Sequence, residues 1–424
     1  MLISLPYGNE KCSFTIPDEN FLGYLDPPYT PPAEDIPALI RRVIESPYGE
    51  KKLEDIVSPE KTLAIIVDDG SRPTPIRLIL PVLLDKLLSL GAKKENICIV
   101  AALGSHRNMS AAELSERVGE EIYKNYKVIN SEFRKPEGLF HAGKTSEGVD
   151  ILASKSVMDC DVHIGIGSLL PHPVMGWGGG GKILYPGIAG EKTVAYFHLK
   201  ASLYDENFFG LDASPVRLMM ENWVEHIGLD FIINVVLNSK QEVVNAVAGH
   251  YVLAHRAGIK KARPCSGCRV NKKSDMVVVS SHPADQDFWQ SPKAFYAAER
   301  ALKGSSGGTM ILVSPNFEGI GPHPEYPLWM GRDDGDEIAN ACIRGEHHGD
   351  PLAIAVGNSM SKLRRRRRLV VVSDGVTKEE MDACGCIWYP LSQLQHAIDF
   401  ESKRFDACKV YAISNGAETY IYEE

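Results

Sequence analysis

Residues 61–91, KTLAIIVDDGSRPTPIRLILPVLLDKLLSLG, hold the pattern that decides the fold. KTLAIIVDD is a short apolar run rich in branched side chains and reads as a strand. PIRLILPVLLDKLLSLG has the spacing of an amphipathic helix and a glycine stop at Gly91. The turn between them places Thr74 to cap the helix and Pro75 at its first position.

The alternation repeats outward from this unit. NICIVAALG (96–104) reads as a strand, and SAAELSERVGEEIYK (110–124) as a helix with a Ser110/Glu113 capping box. CDVHIGIGSLL (160–170) is a strand, EKTVAYFHLKA (191–201) a helix and FIINVVLNS (231–239) a strand. VVNAVAGHYVLAHRAGIKKA (243–262) reads mostly as helix. Composition then shifts: KKARPCSGCRVNKKS (260–274) is basic and rich in turn residues, the mark of a boundary. Beyond it come the strands DMVVVSSH (275–282), TMILVSP (309–315) and RLVVVSDG (368–375). Helices are expected over 291–304, 336–345 and 350–363.

The fold class is therefore α/β, with two α/β domains, 1–264 and 270–424, and a cleft between them. The N-terminal segment reads as two short strands turning at Gly8-Asn9, and the tail from Lys409 as strands free to return to either domain.

Composition excludes several classes. The chain has 424 residues, 44% hydrophobic, enough for sizeable cores without disulfide or metal staples. A net charge of -9 makes nucleic acid and anionic membranes poor partners. The basic run Arg364–Arg368 reads as a solvated loop or helix end. There is no signal-like N-terminus and no membrane-length apolar run, so a cytoplasmic protein is expected. Its nine cysteines are then reduced thiols, and the separated pairs Cys265/Cys268 and Cys384/Cys386 make a poor zinc site.

Chemistry-bearing residues cluster in four strand-end loops: 68–75, 104–107, 168–182 and 281–293. Open α/β sheets bind ligands at such strand ends. In the first loop Arg72 can grip a carboxylate and Asp69 a hydroxyl. In the third, Gly176–Lys182 fits GxxxxGK, the core of a phosphate-binding loop, but Ile183 stands where a magnesium-holding hydroxyl is needed. Pro186 and Gly187 also interrupt the helix that should follow. Three of the thirteen histidines have special settings: His106 at a strand-to-helix turn, His172 between two prolines, and His198 on the helix after the glycine run.

Four segments, DDGSRPTP, GSHR, PHPVMGWGGGGKILYPGIAG with the trailing FH, and DQDFWQSPK, together resemble the nickel-dependent lactate racemase family. The resemblance runs from about residue 68 to 293, and its middle segment is long and specific. It implies nickel and a pyridinium-dithio mononucleotide, the nickel-pincer nucleotide, covalently attached to Lys182, with His198 as metal ligand. It makes His106 and His172 the acid/base pair. It puts Asp69, Ser71, Gly179 and Gly180 at the cofactor, and Arg72, Trp289, Gln290 and Lys293 at the substrate. The implied partners are a small 2-hydroxy acid and the maturation enzymes that assemble the cofactor and insert nickel.

The chemistry is coherent. The C2 hydrogen of a 2-hydroxy carboxylate is a very weak acid, so removal as hydride, with a base taking the hydroxyl proton, gives a planar 2-keto acid. Hydride return to the other face inverts the centre, and imidazoles suit the proton transfers. Trp289 replaces the tyrosine expected beside Gln290, and DPLAIAVGNSM lacks a tryptophan found in lactate-specific members. These departures leave open a longer, aromatic or sugar 2-hydroxy acid. The alternatives are a phosphate-binding transferase or nucleotidase and a non-catalytic nucleotide- or metal-binding protein.

Overall fold

Six strands in the order Val243–Gly249, Phe231–Leu237, Val162–Leu169, Leu63–Asp68, Ile97–Ala102 and Lys127–Asn130 form the first sheet. Every pairing is parallel except that of Val243–Gly249 with its neighbour. The central strands are near-continuous apolar runs because helices cover both faces. The second sheet, also of six strands, runs Ile387–Tyr389, Arg368–Val372, Thr309–Val313, Met276–Ser280, Val410–Ile413 and Phe21–Tyr24, all parallel. The structure, a computed structural model, describes residues 1–104 and 106–423; Ser105 of the Gly104–Arg107 turn and Glu424 lie outside them. The chain is a mixed α/β protein with parallel sheets. No helix among the described residues is long and apolar enough to cross a membrane.

Several local readings need correction. Val243–Gly249, read as helix, is an antiparallel edge strand, and the helix runs from Leu253 to Ser266. Valine-rich sequence favours the pleated surface. The break falls at Gly249, whose φ of 120° and contact with the Tyr48 backbone admit no side chain. The segment 110–124 is two helices, Ala111–Val118 and Glu120–Asn125, divided at Gly119 with φ 96°. Thr74 does not cap the helix Ile76–Ser89: Pro75 holds that position, and the Thr74 hydroxyl donates to Asp68 Oδ2 at 2.5 Å.

Sheet membership also differs from a first unit spanning 1–264. Phe21–Tyr24 extends the second sheet beside Val410–Ile413. The hairpin of Leu2–Tyr7 and Glu10–Thr15 buries Ile3, Leu5 and Phe14 in the core that contains Val278 and Ile311. An apolar sheet face requires such a cover. In the tail, Tyr420–Tyr422 pairs with Gly267–Arg269, inside the segment read as a boundary.

The arginine run does lie at a helix end, but most of its cations are paired rather than solvated. Arg364 pairs with Asp333, Arg366 with Glu299 and Arg368 with Glu401, while Arg367 donates to the carbonyls of Lys303, Gly304 and Gly307. These cations finish the helix Pro351–Arg366, where the helix dipole favours positive charge. Cys384 and Cys386 are buried, and burial pushes the Cys386 thiol up to about 12, which disfavours a metal-binding thiolate.

Candidate active site

Each sheet reverses its strand order at one point, and such a point opens a crevice between diverging loops. In the first sheet it lies between Leu63–Asp68 and Val162–Leu169. The loops leaving these strands carry Asp69, Ser71 and Arg72, and His172 and Lys182. In the second sheet it lies between Met276–Ser280 and Val410–Ile413. Their loops carry Trp289, Gln290 and Lys293, and Glu418. Electrostatic coupling of Lys293 and Glu418 with Arg72 joins the two crevices into one cleft.

On the first side, Asp69 is buried and accepts from Ser71 Oγ at 2.6 Å through Oδ1, while Oδ2 lies 2.5 Å from Nδ1 of His106. Burial opposes ionisation of Asp69. The hydrogen bond and charge of His106, with Arg72 and Ser71, outweigh it and hold the carboxyl well below the usual range. Beneath this pair, Arg117 donates to Asp68, to its carbonyl oxygen at 3.0 Å and to that of Arg72 at 3.1 Å, fixing the loop.

His172 accepts the backbone N–H groups of Val174 and Met175 on Nδ1, both at 3.2 Å. Burial first, then Lys182, Lys293 and Arg72, lower its pKa well below the ordinary imidazole value. Lys182 is lowered likewise by burial, then by Arg72 and Lys293, which drives its amine toward the neutral form. His198 donates from Nδ1 to Val194 O at 2.8 Å, and burial brings it to about 4.

The glycine run is shaped by packing rather than by open space. A Cβ on Gly179 would lie 2.7 Å from Asn234 Oδ1, and one on Gly180 2.9 Å from His255 Cδ2; both glycines have positive φ. The Gly180 amide donates to Asn234 Oδ1 at 2.7 Å and the Gly178 amide to Leu170 O at 2.7 Å. These amides are therefore not available as a phosphate cradle. What the glycines achieve is close approach, which brings Lys182 into the cleft.

Across the cleft, Lys293 donates to Gln290 Oε1, and the Gln290 amide is held by Asp287 at 2.8 Å. Lys293 opens the helix Lys293–Arg300, where the dipole repels a cation. Burial, then Arg72, bring its pKa to about 7. Trp289 packs against His323, with ring centroids 4.1 Å apart, and against Tyr326 at 5.3 Å. All the predicted site residues thus belong to loops or helices at the two crevices. Half-buried cations in such number call for an anionic ligand.

A model of the lactate racemase N-terminal domain matches residues 7–209. The lactate racemase of Thermoanaerobacterium thermosaccharolyticum is 30% identical over 352 residues, 80% of each chain. This chain belongs to the lactate racemase family. It is a racemase, an isomerase by class. The lactate racemase of Lactiplantibacillus plantarum is 28% identical over 356 residues, covering 80% of this chain and 81% of that one. The solved apoprotein of the Thermoanaerobacterium thermosaccharolyticum lactate racemase matches the whole of both chains with a TM-score of 0.86 at 26% identity. A Thermotoga maritima protein of 18% identity matches 93% of this chain with a TM-score of 0.72, a likeness of fold.

Sequence reasoning about this racemase missed two groups. Glu418 follows the strand Val410–Ile413, and burial raises it to about 7 despite His282, Lys293 and Arg72. The strand-end rule that flagged four loops would have flagged this fifth. His323, behind Trp289, has Nδ1 2.6 Å from Asp350 Oδ2, and no spacing in the sequence links those two residues.

Proposed function

We propose that this racemase inverts C2 of a 2-hydroxy acid through a 2-keto acid, using a nickel-pincer nucleotide tethered to Lys182. The residues fit such a group. Lys182 offers an amine driven toward its neutral, nucleophilic form. His198, with Nδ1 donated to Val194 O, keeps the Nε2 lone pair for a metal. The group, when bound, supplies a reversible hydride acceptor. The observation that carries the reading is the convergence of these two side chains, each tuned for a different bond, on one cationic cleft.

The remaining roles follow from charge and reach. Arg72 and Lys293 hold the substrate carboxylate, and Gln290 orients Lys293. His106 and His172 act on the C2 hydroxyl, with Asp69 and Ser71 fixing the His106 ring. Gly179 and Gly180 let the tether loop pack close to Asn234 and His255. The relatives are named for lactate. In this chain Trp289, backed by His323 and the buried Tyr326, favours a 2-hydroxy acid whose side chain packs on the indole.

The test is intact mass and metal analysis of protein made in cells that build the cofactor. An adduct of several hundred daltons (roughly one mononucleotide) on the Lys182 peptide, with nickel, is the expected result. Lys182→Ala should lose the adduct. Racemisation of 2-hydroxy acids by material whose Lys182 amine is free would sink the reading.

A further inference from the structure

The turn that leads from His172 to Lys182 is held by its carbonyl oxygens. Val174 O accepts from Ser214 Oγ at 3.4 Å and Met175 O from Arg217 Nε at 3.0 Å. Gly176 O accepts from the Gly210 amide at 2.9 Å, Trp177 O from Arg217 Nη2, and Gly178 O from His255 Nε2 at 2.9 Å. Each carbonyl from 174 to 178 thus has a donor from another segment. The amides of Val174 and Met175 meanwhile donate to His172 Nδ1, so the residues held from outside are the ones that hold the ring. Downstream, glycines 178–181 offer no side chain to pack, and Gly179 and Gly180 have positive φ. Such a backbone keeps one path only where hydrogen bonds and neighbours impose it.

Two of these donors trace back to one carboxylate. Glu221 lies one turn after Arg217 on the helix Pro215–Ile227, with Oε1 3.6 Å from Arg217 Nη1. It also takes both ends of Arg256, at 2.9 and 2.7 Å. Arg256 Nη1 in turn donates to His255 Nδ1 at 2.8 Å. A guanidinium only donates, so that nitrogen bears no proton and the neutral ring keeps its hydrogen on Nε2, where Gly178 O accepts it. Burial, then Arg217 and Arg256, lower the His255 pKa well below the ordinary imidazole value. Arg217 itself is fully buried in the first turn of its helix, where the dipole opposes a cation. A buried ion pair is a weak source of stability, so stability alone does not account for a cation there. Its two carbonyl bonds do.

We propose that Arg217 and His255 are positioning residues of this racemase: by gripping the carbonyls of Met175, Trp177 and Gly178 they set where His172 and Lys182 stand in the cleft, and Glu221 aims both. The role rests on the 2-hydroxy acid reading above. Both side chains act through the backbone of the turn. Arg72, Gln290 and Lys293, assigned to the substrate, lie on other loops and do not depend on the grip. Its loss should therefore slow turnover and leave substrate affinity in place, because a small misplacement of reacting groups costs rate rather than binding.

Hydrogen exchange on cofactor-free protein tests the grip. Arg217→Met fills similar space without the donors, and should speed exchange of the Gly178 and Gly180 amides by at least about tenfold, with far smaller change in the strand Ile97–Ala102. In cofactor-loaded protein, counted per molecule carrying the Lys182 adduct, Arg217→Met should lower kcat about a hundredfold with KM within about threefold. His255→Gln can still donate to Gly178 O and accept from Arg256, and should keep kcat within about threefold, whereas His255→Leu should lose at least about tenfold. Parental exchange and kcat in Arg217→Met overturn the proposal, and so does a rise in exchange spread equally over Ile97–Ala102. Equal kcat in the two His255 variants overturns it as well, and that pair decides alone should Arg217→Met fail to fold. Loaded parent protein that inverts no 2-hydroxy acid overturns the functional reading instead, and hydrogen exchange still decides the grip.

Discussion

His198 donates from Nδ1 to the carbonyl oxygen of Val194, one turn earlier on the helix Glu191–Ser202, at 2.8 Å. This bond fixes which nitrogen remains for a metal, and the helix fixes where it points. His198→Ala should therefore lower nickel content by more than about tenfold while leaving the Lys182 adduct in place, as read by metal analysis and peptide mass. Nickel retained at the parental level would remove His198 from the metal.

Lys293 gives a pH test of stability. Its folded-state pKa, about 7, lies below its unfolded value. Below about 7 both states are charged and the full cost of burial is present. Between there and the unfolded value only the unfolded chain holds the proton, so stability rises with pH. Lys293→Met should stabilise the cofactor-free protein by roughly 1–3 kcal/mol at about pH 6, and the gain should fade as pH rises toward about 10. Denaturant titrations at several pH values measure this, and a gain independent of pH would contradict it.

Glu418 should tune substrate binding across neutrality. Its carboxyl, raised to about 7 by burial, is neutral below that pH and ionised above it. An ionised Glu418 offsets Arg72 and Lys293 and opposes an anionic substrate. KM should rise above about pH 7, where Lys293 also loses its charge, and Glu418→Gln should remove only the share due to Glu418, a difference of roughly 3–10-fold at about pH 8. Steady-state kinetics across pH decide it.

Trp289 stands on the substrate loop, braced by His323, which Asp350 in turn holds. Trp289→Tyr should shift kcat/KM toward lactate relative to aromatic 2-hydroxy acids by about tenfold. Competition assays with paired substrates report the ratio, and an unchanged ratio would take Trp289 out of side-chain selection.

Gly180 tests the packing account of the glycine run. With φ at 62° and His255 Cδ2 only 2.9 Å from an added Cβ, Gly180→Ala should cost about 2–4 kcal/mol. Gly304 has a similar φ of 61°, but its nearest neighbour is Ser306 O at 3.5 Å, so Gly304→Ala should cost only about 1 kcal/mol. Equal costs would mean that backbone conformation, not crowding, selects glycine there.

Strands such as Leu63–Asp68 and Met276–Ser280 were legible because an apolar run of that length, between turns, has few other uses. The segment 243–262 was not. Its valines and alanines fit either period, and only the Tyr48 contact at Gly249 ends the strand there. Thr74 looked like a helix cap, but the helix starts one residue later with Pro75 in the cap position, and the Thr74 hydroxyl instead donates to Asp68. The cleft residues of the first loops were readable from glycine, proline and histidine in unusual company. Glu418 and His323 were not, because their chemistry comes from neighbours far away in sequence.

The strand Phe21–Tyr24 finds its partner nearly at the other end of the polypeptide, in Val410–Ile413. During synthesis, then, Phe21–Tyr24 must wait for a partner made far later. Until Val410–Ile413 emerges, the neighbouring strand Met276–Ser280 has an open edge, and the early hairpin carries apolar side chains without their full cover. The nascent chain is exposed to misassociation until Val410–Ile413 has been made, and the arrival of that strand joins the two parts of the second sheet.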